Sequence, residues 1–453
     1  MLAIVLMVLL SPVVAFLAWS RIEASRLDSA FDALEARDEL LDVADFDQKP
    51  ATDEQREASH LYAQAMRLVV NEPLATPQAM AAATAIEALC SAPREPSAPA
   101  EVAVLEALEA RHKEAFALLD RATGLETAGW EEADRPRRDS IEEFRSGSLG
   151  RLNAARIARL ACTGHGDEAA RALLAGLRLR RVAVPTSDRV TASTPHSLHA
   201  VLTFTPPDAS LLQKIQNEYE NAVDEHSVEK RLRYSRARWL HHALPGVVSD
   251  APPGYMPARM TPLGAVALRL VRPMRDRSIV RELREFDEAL AAVGEPWPAK
   301  LDAASAITGK YRYTRSQSRR RGFFERLTRP YDSHMAATTL ESVVRSAAET
   351  LARTRASAAA VAVARYRLAH GGTLPGSLQA LIPEYLTAPL VDPYTGKELK
   401  YVHDGESYKV YSLGVNRTDD GGTWDLSSDL RTTRRGDPLD VGIAVGRPSA
   451  RPN

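Results

Sequence analysis

The segment 333–370 decides more about the fold than any other part of the chain, because it contains no proline and no glycine and is rich in alanine. Alanine has the highest helix propensity, whereas proline and glycine interrupt helices. Apolar residues recur at helical spacing along the segment, as at Leu340, Val344, Leu351 and Val361. These features predict one long helix, or two that are nearly collinear.

The composition also favours helices. Aromatic residues make up only 6% of the chain, and strands draw on aromatic and β-branched residues. The clearest helical hairpin covers residues 149–181 and turns at Gly164, and a single helix is predicted over 209–243. The chain is therefore predicted to be mainly α, with a multi-helix (helical-hairpin) body over 21–330 and a break near 250 as an alternative within it.

The period of the apolar residues changes after the long helix. Gly371-Gly372 ends the helix, and two alternating segments, 399–402 and 408–412, flank a turn that contains Asp404-Gly405. A β-hairpin is predicted there, which gives a small C-terminal α+β domain over 331–435. The residues 436–453 are rich in Gly, Pro and Arg and are predicted to be a disordered tail.

The chain begins with an uncharged apolar run from Leu2 to Trp19. Such a run is just long enough to cross a hydrocarbon core about 30 Å thick, so a membrane anchor or signal segment is predicted over 1–20. Val13-Val14-Ala15 offers the small-residue pattern of a signal-peptidase site. Retention as an N-terminal membrane helix is favoured by Trp19 close to Arg21, which suits a membrane interface.

Charge and cysteine content exclude several classes of protein. Lys and Arg number 58 against 59 for Asp and Glu, so the chain is not a globally basic nucleic-acid binder, and no nucleic-acid partner is expected. The two cysteines, Cys90 and Cys162, exclude a disulfide-rich scaffold and leave their own pairing open. No nucleophile elbow, phosphate-binding loop, dinucleotide fingerprint or zinc-protease motif occurs, so no catalytic residue is assigned.

The histidines give one weak metal candidate. His196 and His199 are three residues apart, and His241-His242 follow later in the chain. Two imidazoles one helical turn apart can share a metal ion. The alternative is that these are ordinary surface or interface histidines.

A succession of short motifs occurs between residues 350 and 430, comprising Arg365-Tyr366, Gly372-Thr373-Leu374-Pro375, Leu378-Gln379-Ala380-Leu381, Tyr385-Leu386, Asp392-Pro393-Tyr394-Thr395-Gly396, Leu399-Lys400-Tyr401, Tyr411-Ser412-Leu413-Gly414 and Asp419-Asp420-Gly421-Gly422. In this order they resemble the globular domain of the major pseudopilin of type II secretion systems. The resemblance covers less than a fifth of the chain, and no family is recognised for the remainder.

The resemblance implies a calcium ion in the loop after Ser412-Leu413-Gly414. Calcium takes six to eight oxygen ligands from carboxylates, amides and carbonyls. The candidate ligands here are the Leu413 carbonyl and the side chains of Asn416, Asp419, Asp420 and Asp425. Asn416 stands where the family commonly has an acid, which lowers the expected affinity. The alternative is a loop whose Asp and Asn side chains only stabilise turns.

The chain also departs from the pseudopilin pattern. A basic leader, a glycine at the processing site and a glutamate early in the apolar helix are absent before Arg21. Processing and assembly like a pseudopilin are therefore not expected, and the region is interpreted as a borrowed domain for docking or spacing.

The expected function is that of a membrane-anchored extracytoplasmic scaffold or partner-binding protein of the bacterial inner membrane, linked to secretion or envelope assembly. It would be held in the membrane by residues 2–19 and bind an unidentified protein partner. Arg21 and Arg26 would place the body in the cytoplasm by the positive-inside rule, whereas the C-terminal resemblance places it outside. The alternative is an extracytoplasmic hydrolase with a site between the helical body and the C-terminal domain.

Overall fold

The computed structural model describes residues 2–46, 52–69, 99–125, 140–182, 194–204, 206–222, 227–243, 262–318, 335–423 and 440–446. Within these stretches the protein is mainly helical, with 12 α-helices and one small antiparallel sheet of three strands near the C-terminus. The predicted mainly α fold is thereby confirmed.

The helices of the first half are α1 Leu2–Glu35, α2 Asp53–Val69, α3 Pro99–Arg111, α4 Lys113–Thr123, α5 Ser140–Cys162 and α6 Gly166–Val182. Those of the second half are α7 Thr194–Phe204, α8 Ala209–Asn221, α9 Ser227–Ala243, α10 Pro262–Val293, α11 Ala299–Ser318 and α12 Met335–Ala369. Short 3-10 helices cover Val43–Phe46 and Leu378–Leu381, and the strands are β1 Lys400–His403, β2 Tyr408–Ser412 and β3 Val441–Val445.

The long helix predicted from the alanine-rich segment is confirmed as α12. It ends where Gly371 and Gly372 adopt positive φ angles of 61° and 95°, and the Gly372 N–H donates to the Arg367 carbonyl oxygen over 2.8 Å. All residues from Ala358 to Ala364 are buried. Small side chains on every face let other elements approach this part of the helix closely.

The predicted hairpin over 149–181 is confirmed as α5 and α6, which turn at Gly164 with a φ of 85°. The single helix predicted over 209–243 is wrong, because α8 ends at Asn221 and α9 begins at Ser227. Asn, Asp and Ser are poor helix-interior residues, because their side chains compete for backbone hydrogen bonds.

The chain folds into two compact units, each made of two separate stretches. We call residues 1–47 and 226–345 the first unit, and residues 48–225 and 346–453 the second unit. In the second unit one hydrophobic core contains side chains from α5 to α8, from α12, and from β2 and β3. The predicted ranges 21–330 and 331–435 are each one continuous stretch of the chain. Each compact unit, in contrast, combines two stretches that are far apart in the sequence.

The sheet has the order β1-β2-β3. The predicted hairpin is confirmed as β1 and β2, with Lys400 opposite Tyr411 and His403 opposite Tyr408. The disordered tail predicted over 436–453 is wrong for its middle part, because β3 pairs with β2 there. Ile443 and Val445 are buried on the core side, and their burial offsets the cost of ordering this segment.

Helix α1 continues past the predicted membrane segment and ends at Glu35. The membrane helix predicted for residues 2–19 is not supported: among the described residues, no helix is both long enough and apolar enough to span a membrane.

Candidate functional site in the loop after strand β2

The candidate calcium loop begins at Leu413, directly after β2. Of the predicted ligands, Leu413, Asn416, Asp419 and Asp420 are described, and Asp425 lies outside the described residues. The loop turns at Gly414 and Arg417, whose φ angles are 62° and 56°.

A buried carboxylate, that of Asp392, holds the start of this loop. Asp392 is 1% exposed. Its Oδ1 accepts hydrogen bonds from the Ser412 hydroxyl at 2.7 Å and the Tyr394 N–H at 2.9 Å. Its Oδ2 accepts from the Leu413 N–H at 3.1 Å and the Thr395 hydroxyl at 3.0 Å. Two of the motifs that carry the resemblance are therefore joined through a single side chain.

Asp419 is turned towards the sheet. Its Oδ1 accepts from the Tyr411 hydroxyl at 3.0 Å and the Gly421 N–H at 3.1 Å, and its Oδ2 lies 3.3 Å from Lys400 Nζ. The Gly421 hydrogen bond is the main reason that the pKa of Asp419 is lowered, and those from Tyr411 and Lys400 add to it. With an ammonium group already beside it, Asp419 is a poorer cation ligand than its position in the sequence suggests.

Asn416 and Asp420 are brought together. The Asn416 Nδ2 donates to Asp420 Oδ2 over 3.0 Å, and the Asn416 Oδ1 accepts from the Thr418 N–H over 3.0 Å. Both bonds stabilise turns, as the alternative interpretation of this loop predicts.

Asp440, just before β3, is the site residue that sequence reasoning missed. It is 2% exposed, and its Oδ2 accepts from the N–H groups of Asp420 and Gly422 at 3.1 and 2.8 Å. Its Oδ1 is buried and has no hydrogen-bond partner in the part of the chain that the structure describes. Burial raises the pKa of Asp440, and the nearby carboxylates of Asp420 and Asp419 raise it further. A signal was present, since Val441, Ile443 and Val445 alternate directly after it.

The chemistry of Asp440 suits a cation, because a buried carboxylate oxygen that lacks a donor gains most from a positive charge. Among the described residues, no group of three or more His, Cys, Asp or Glu side chains is arranged to hold a metal ion. A calcium site here would therefore rely on amide and backbone oxygens, such as those of Asn416 and Leu413, beside the carboxylates of Asp420 and Asp440.

Of the predicted pair His196 and His199, the structure describes only the side chain of His199. His199 lies on α7, and its ring Nδ1–H donates to the carbonyl oxygen of Ala444 on β3. The side chains of His196 and His242 lie outside the described part of the chain. His199 thus has a structural role, which is to connect a helix to the edge of the sheet.

The burial of His199 gives an expected pH dependence, although its hydrogen bond to Ala444 acts in the opposite direction and raises the pKa. In the folded protein, burial lowers the pKa of the His199 imidazole below its ordinary value of 6.5. The unfolded chain therefore takes up the proton first as the pH falls. The contribution of His199 is expected to be complete above about pH 6.5 and to decrease below it, by about 1.4 kcal/mol per pH unit, until the folded pKa is reached. Urea unfolding at about pH 7 and pH 5 measures this, and His199→Gln should reduce the difference. Equal differences in both proteins would contradict it.

The first unit contains a groove of about 340 Å³ between α1 and α10. Its lining includes small residues of α1, among them Ser29 and Ala33, and the arginines Arg26, Arg37 and Arg284. Arg37 donates to both carboxylate oxygens of Asp287 at 3.2 Å. The groove is lined by neither a Ser–His pair nor a pair of carboxylates, so it gives no support to the hydrolase alternative.

Comparison with known proteins gives no relative: no family model, no curated protein and no solved structure matches the chain. The site is therefore interpreted from its own geometry.

Proposed function

We propose that this chain is a membrane-anchored, extracytoplasmic scaffold or partner-binding protein of the bacterial envelope, with a pseudopilin-like C-terminal region. The observation that carries the proposal is the surface of α1. Leu10, Val13, Val14 and Leu17 are 50%, 52%, 62% and 57% exposed. Large apolar side chains exposed side by side on a helix favour burial in a bilayer or against another protein.

The next turns of α1 have the polar character of a membrane interface. The Trp19 Nε1–H donates to Glu23 Oε1 over 3.2 Å, and Arg26 donates to the same oxygen over 2.9 Å. Tryptophan is enriched where a helix leaves the hydrocarbon. After this point α1 packs against α10 within the first unit, with Leu34 2% exposed beside Ile279 and Leu283. One helix would then connect the membrane to the folded body.

Sodium carbonate extraction of bacterial membranes tests the anchor. The full chain is expected to stay in the membrane pellet, and a variant with Leu10, Val13, Val14 and Leu17 replaced by Asn to move to the supernatant. The control variant has the same number of replacements at exposed polar residues of α2, and it should stay in the pellet. These residues are Glu54, Glu57, His60 and Arg67. Release of the unaltered chain by carbonate would refute the anchor.

The scaffold role is supported by the groove in the first unit, whose arginine-rich surroundings suit an acidic protein partner. Crosslinking in intact membranes, followed by identification of the products, is expected to capture such a partner. Substitution of Arg284 by Glu should reduce that product, while substitution of Arg345 by Glu should not. Equal capture by both variants would remove the groove from the proposal.

We propose further that the loop after β2 holds calcium, which would supply positive charge to the buried Asp440. Leu413, Asn416, Asp420 and Asp440 would contribute oxygens, with Asp425 as a further candidate.

Calcium is therefore expected to raise the melting temperature of the protein relative to chelator, because a ligand that binds only the folded state stabilises it. Asp440→Asn should abolish this shift. Asp28→Asn, which alters an exposed carboxylate of the first unit, should leave it unchanged. The same melting temperature with calcium and with chelator would exclude a native ion.

A further inference from the structure

The two edges of the sheet differ in how they are covered. On β3, the Ala444 carbonyl accepts the hydrogen bond from His199, and the Gly446 N–H donates to the Thr203 hydroxyl over 3.1 Å. Both partners belong to α7. Two main-chain groups, one on β3 and one just after it, therefore have side-chain partners on α7, which packs along this edge.

The edge of β1 is open at Tyr401 and His403, whereas the N–H of Leu399, just before the strand, donates to the Leu390 carbonyl oxygen over 3.0 Å. Residues along an antiparallel strand direct their N–H and C=O groups alternately towards the neighbouring strand and away from it. The Asp404 N–H donates to the Ser407 carbonyl at the turn, so Lys400 and Val402 also face β2, and Tyr401 and His403 face outwards. Among the described residues, no group is hydrogen-bonded to the main chain of Tyr401 or His403.

The two charged side chains along this edge are spaced symmetrically about Val402. Lys400, Val402 and Asp404 lie on the face of the sheet away from the core, because side chains alternate along a strand. Val402 is 45% exposed. A positive charge stands two residues before it and a negative charge two residues after it.

We propose that β1 is the docking edge for a second copy of this chain, with the two β1 strands antiparallel about a two-fold axis at Val402. Tyr401 then faces His403 of the second copy, and each main-chain N–H meets a C=O across the interface. Lys400 faces Asp404 of the second copy on both sides of the axis, and the two Val402 side chains pack together.

Charge complementarity selects this occupant and this register. A parallel pairing of the same strands would place Lys400 opposite Lys400, and an antiparallel pairing centred on Tyr401 would take Lys400 away from Asp404. Lys400 lies 3.3 Å from Asp419 and its side chain is still 50% exposed, so it can reach a second carboxylate. The inference depends on the sheet alone and not on the membrane anchor.

Disulfide crosslinking of the full chain tests the register. Cys90 and Cys162 are replaced by Ala, and Val402→Cys is compared with Val415→Cys, a 41% exposed position outside the strand. In the proposed pairing, Val402 is a non-hydrogen-bonded pair with Cα atoms about 4.5 Å apart, within the range for a disulfide. Under mild oxidation, Val402→Cys is expected to form covalent homodimers about tenfold faster than Val415→Cys.

Sedimentation of the detergent-solubilised full chain tests the association itself. The unaltered chain is expected to be a dimer, Val402→Lys a monomer with unchanged circular dichroism, and Val415→Lys a dimer. Equal crosslinking rates at positions 402 and 415, or a monomeric unaltered chain, would overturn the proposal. Disulfide adducts of Val402→Cys with another protein, in place of homodimers, would also overturn it and assign the edge to a different occupant.

Discussion

Asp392→Ala is expected to lower the free energy of unfolding of the second unit by about 4 kcal/mol. The substitution removes a 1% exposed carboxylate that accepts hydrogen bonds from Ser412, Leu413, Tyr394 and Thr395. The buried donors among these would keep the cost of dehydration without a partner. Guanidinium unfolding followed by tyrosine fluorescence measures the loss.

Asp404→Ala is the matched control. Asp404 also accepts several hydrogen bonds, from the N–H groups of Glu406 and Ser407 and from the Ser407 hydroxyl. These groups are exposed or nearly so, and water replaces the carboxylate when it is removed. The loss for Asp404→Ala should be a small fraction of that for Asp392→Ala. Equal losses would show that burial of Asp392 does not set its contribution.

Gly442→Ala is expected to destabilise the second unit by about 3 kcal/mol through a clash within the sheet. A Cβ atom at this position would lie 2.3 Å from the Val410 carbonyl oxygen and 2.5 Å from Tyr411 Cβ. The clash is with the neighbouring strand, so β3 has to move away from β2. Asp440 is two residues before Gly442. The hydrogen bonds that Asp440 accepts from the N–H groups of Asp420 and Gly422 are expected to break when β3 moves. Thermal unfolding with and without calcium measures both effects.

Gly150→Ala serves as the control for this substitution. Gly150 lies inside α5, and apart from the adjacent residues and backbone of its own helix, nothing is within 4 Å of the position that an alanine methyl group would take there. Alanine in a helix is favoured over glycine by up to about 1 kcal/mol, so this variant should be as stable as the unaltered protein or more stable. If Gly442→Ala retained full stability, the pairing of β3 with β2 would be wrong.

The elements that sequence reasoning predicted correctly are those specified by neighbouring residues. Helix α12 follows from a long stretch without helix breakers, and its end follows from Gly371 and Gly372. The β1–β2 hairpin follows from alternating residues on both sides of Asp404-Gly405. In each case the decisive signal lies within the element or directly beside it.

The features that were missed depend on residues far apart in the sequence. Strand β3 is ordered by contact with β2 and with His199, which is separated from Ala444 by 245 positions. Asp440 becomes buried only because β3 pairs. The partnership of Asp419 with Lys400 likewise requires the folded hairpin. The alternation of Val441, Ile443 and Val445 is a local signal for a strand, but it does not reveal these long-range contacts.

Labelling with a membrane-impermeant maleimide tests the proposed location of the protein most directly. The full chain is produced in a bacterium with Cys90 and Cys162 replaced by Ala and with Val415→Cys, which places one thiol on an exposed loop of the second unit. Labelling in intact spheroplasts is expected to match that in lysed spheroplasts, because the proposed topology places this loop outside the membrane. A thiol that is labelled only after lysis would contradict the account.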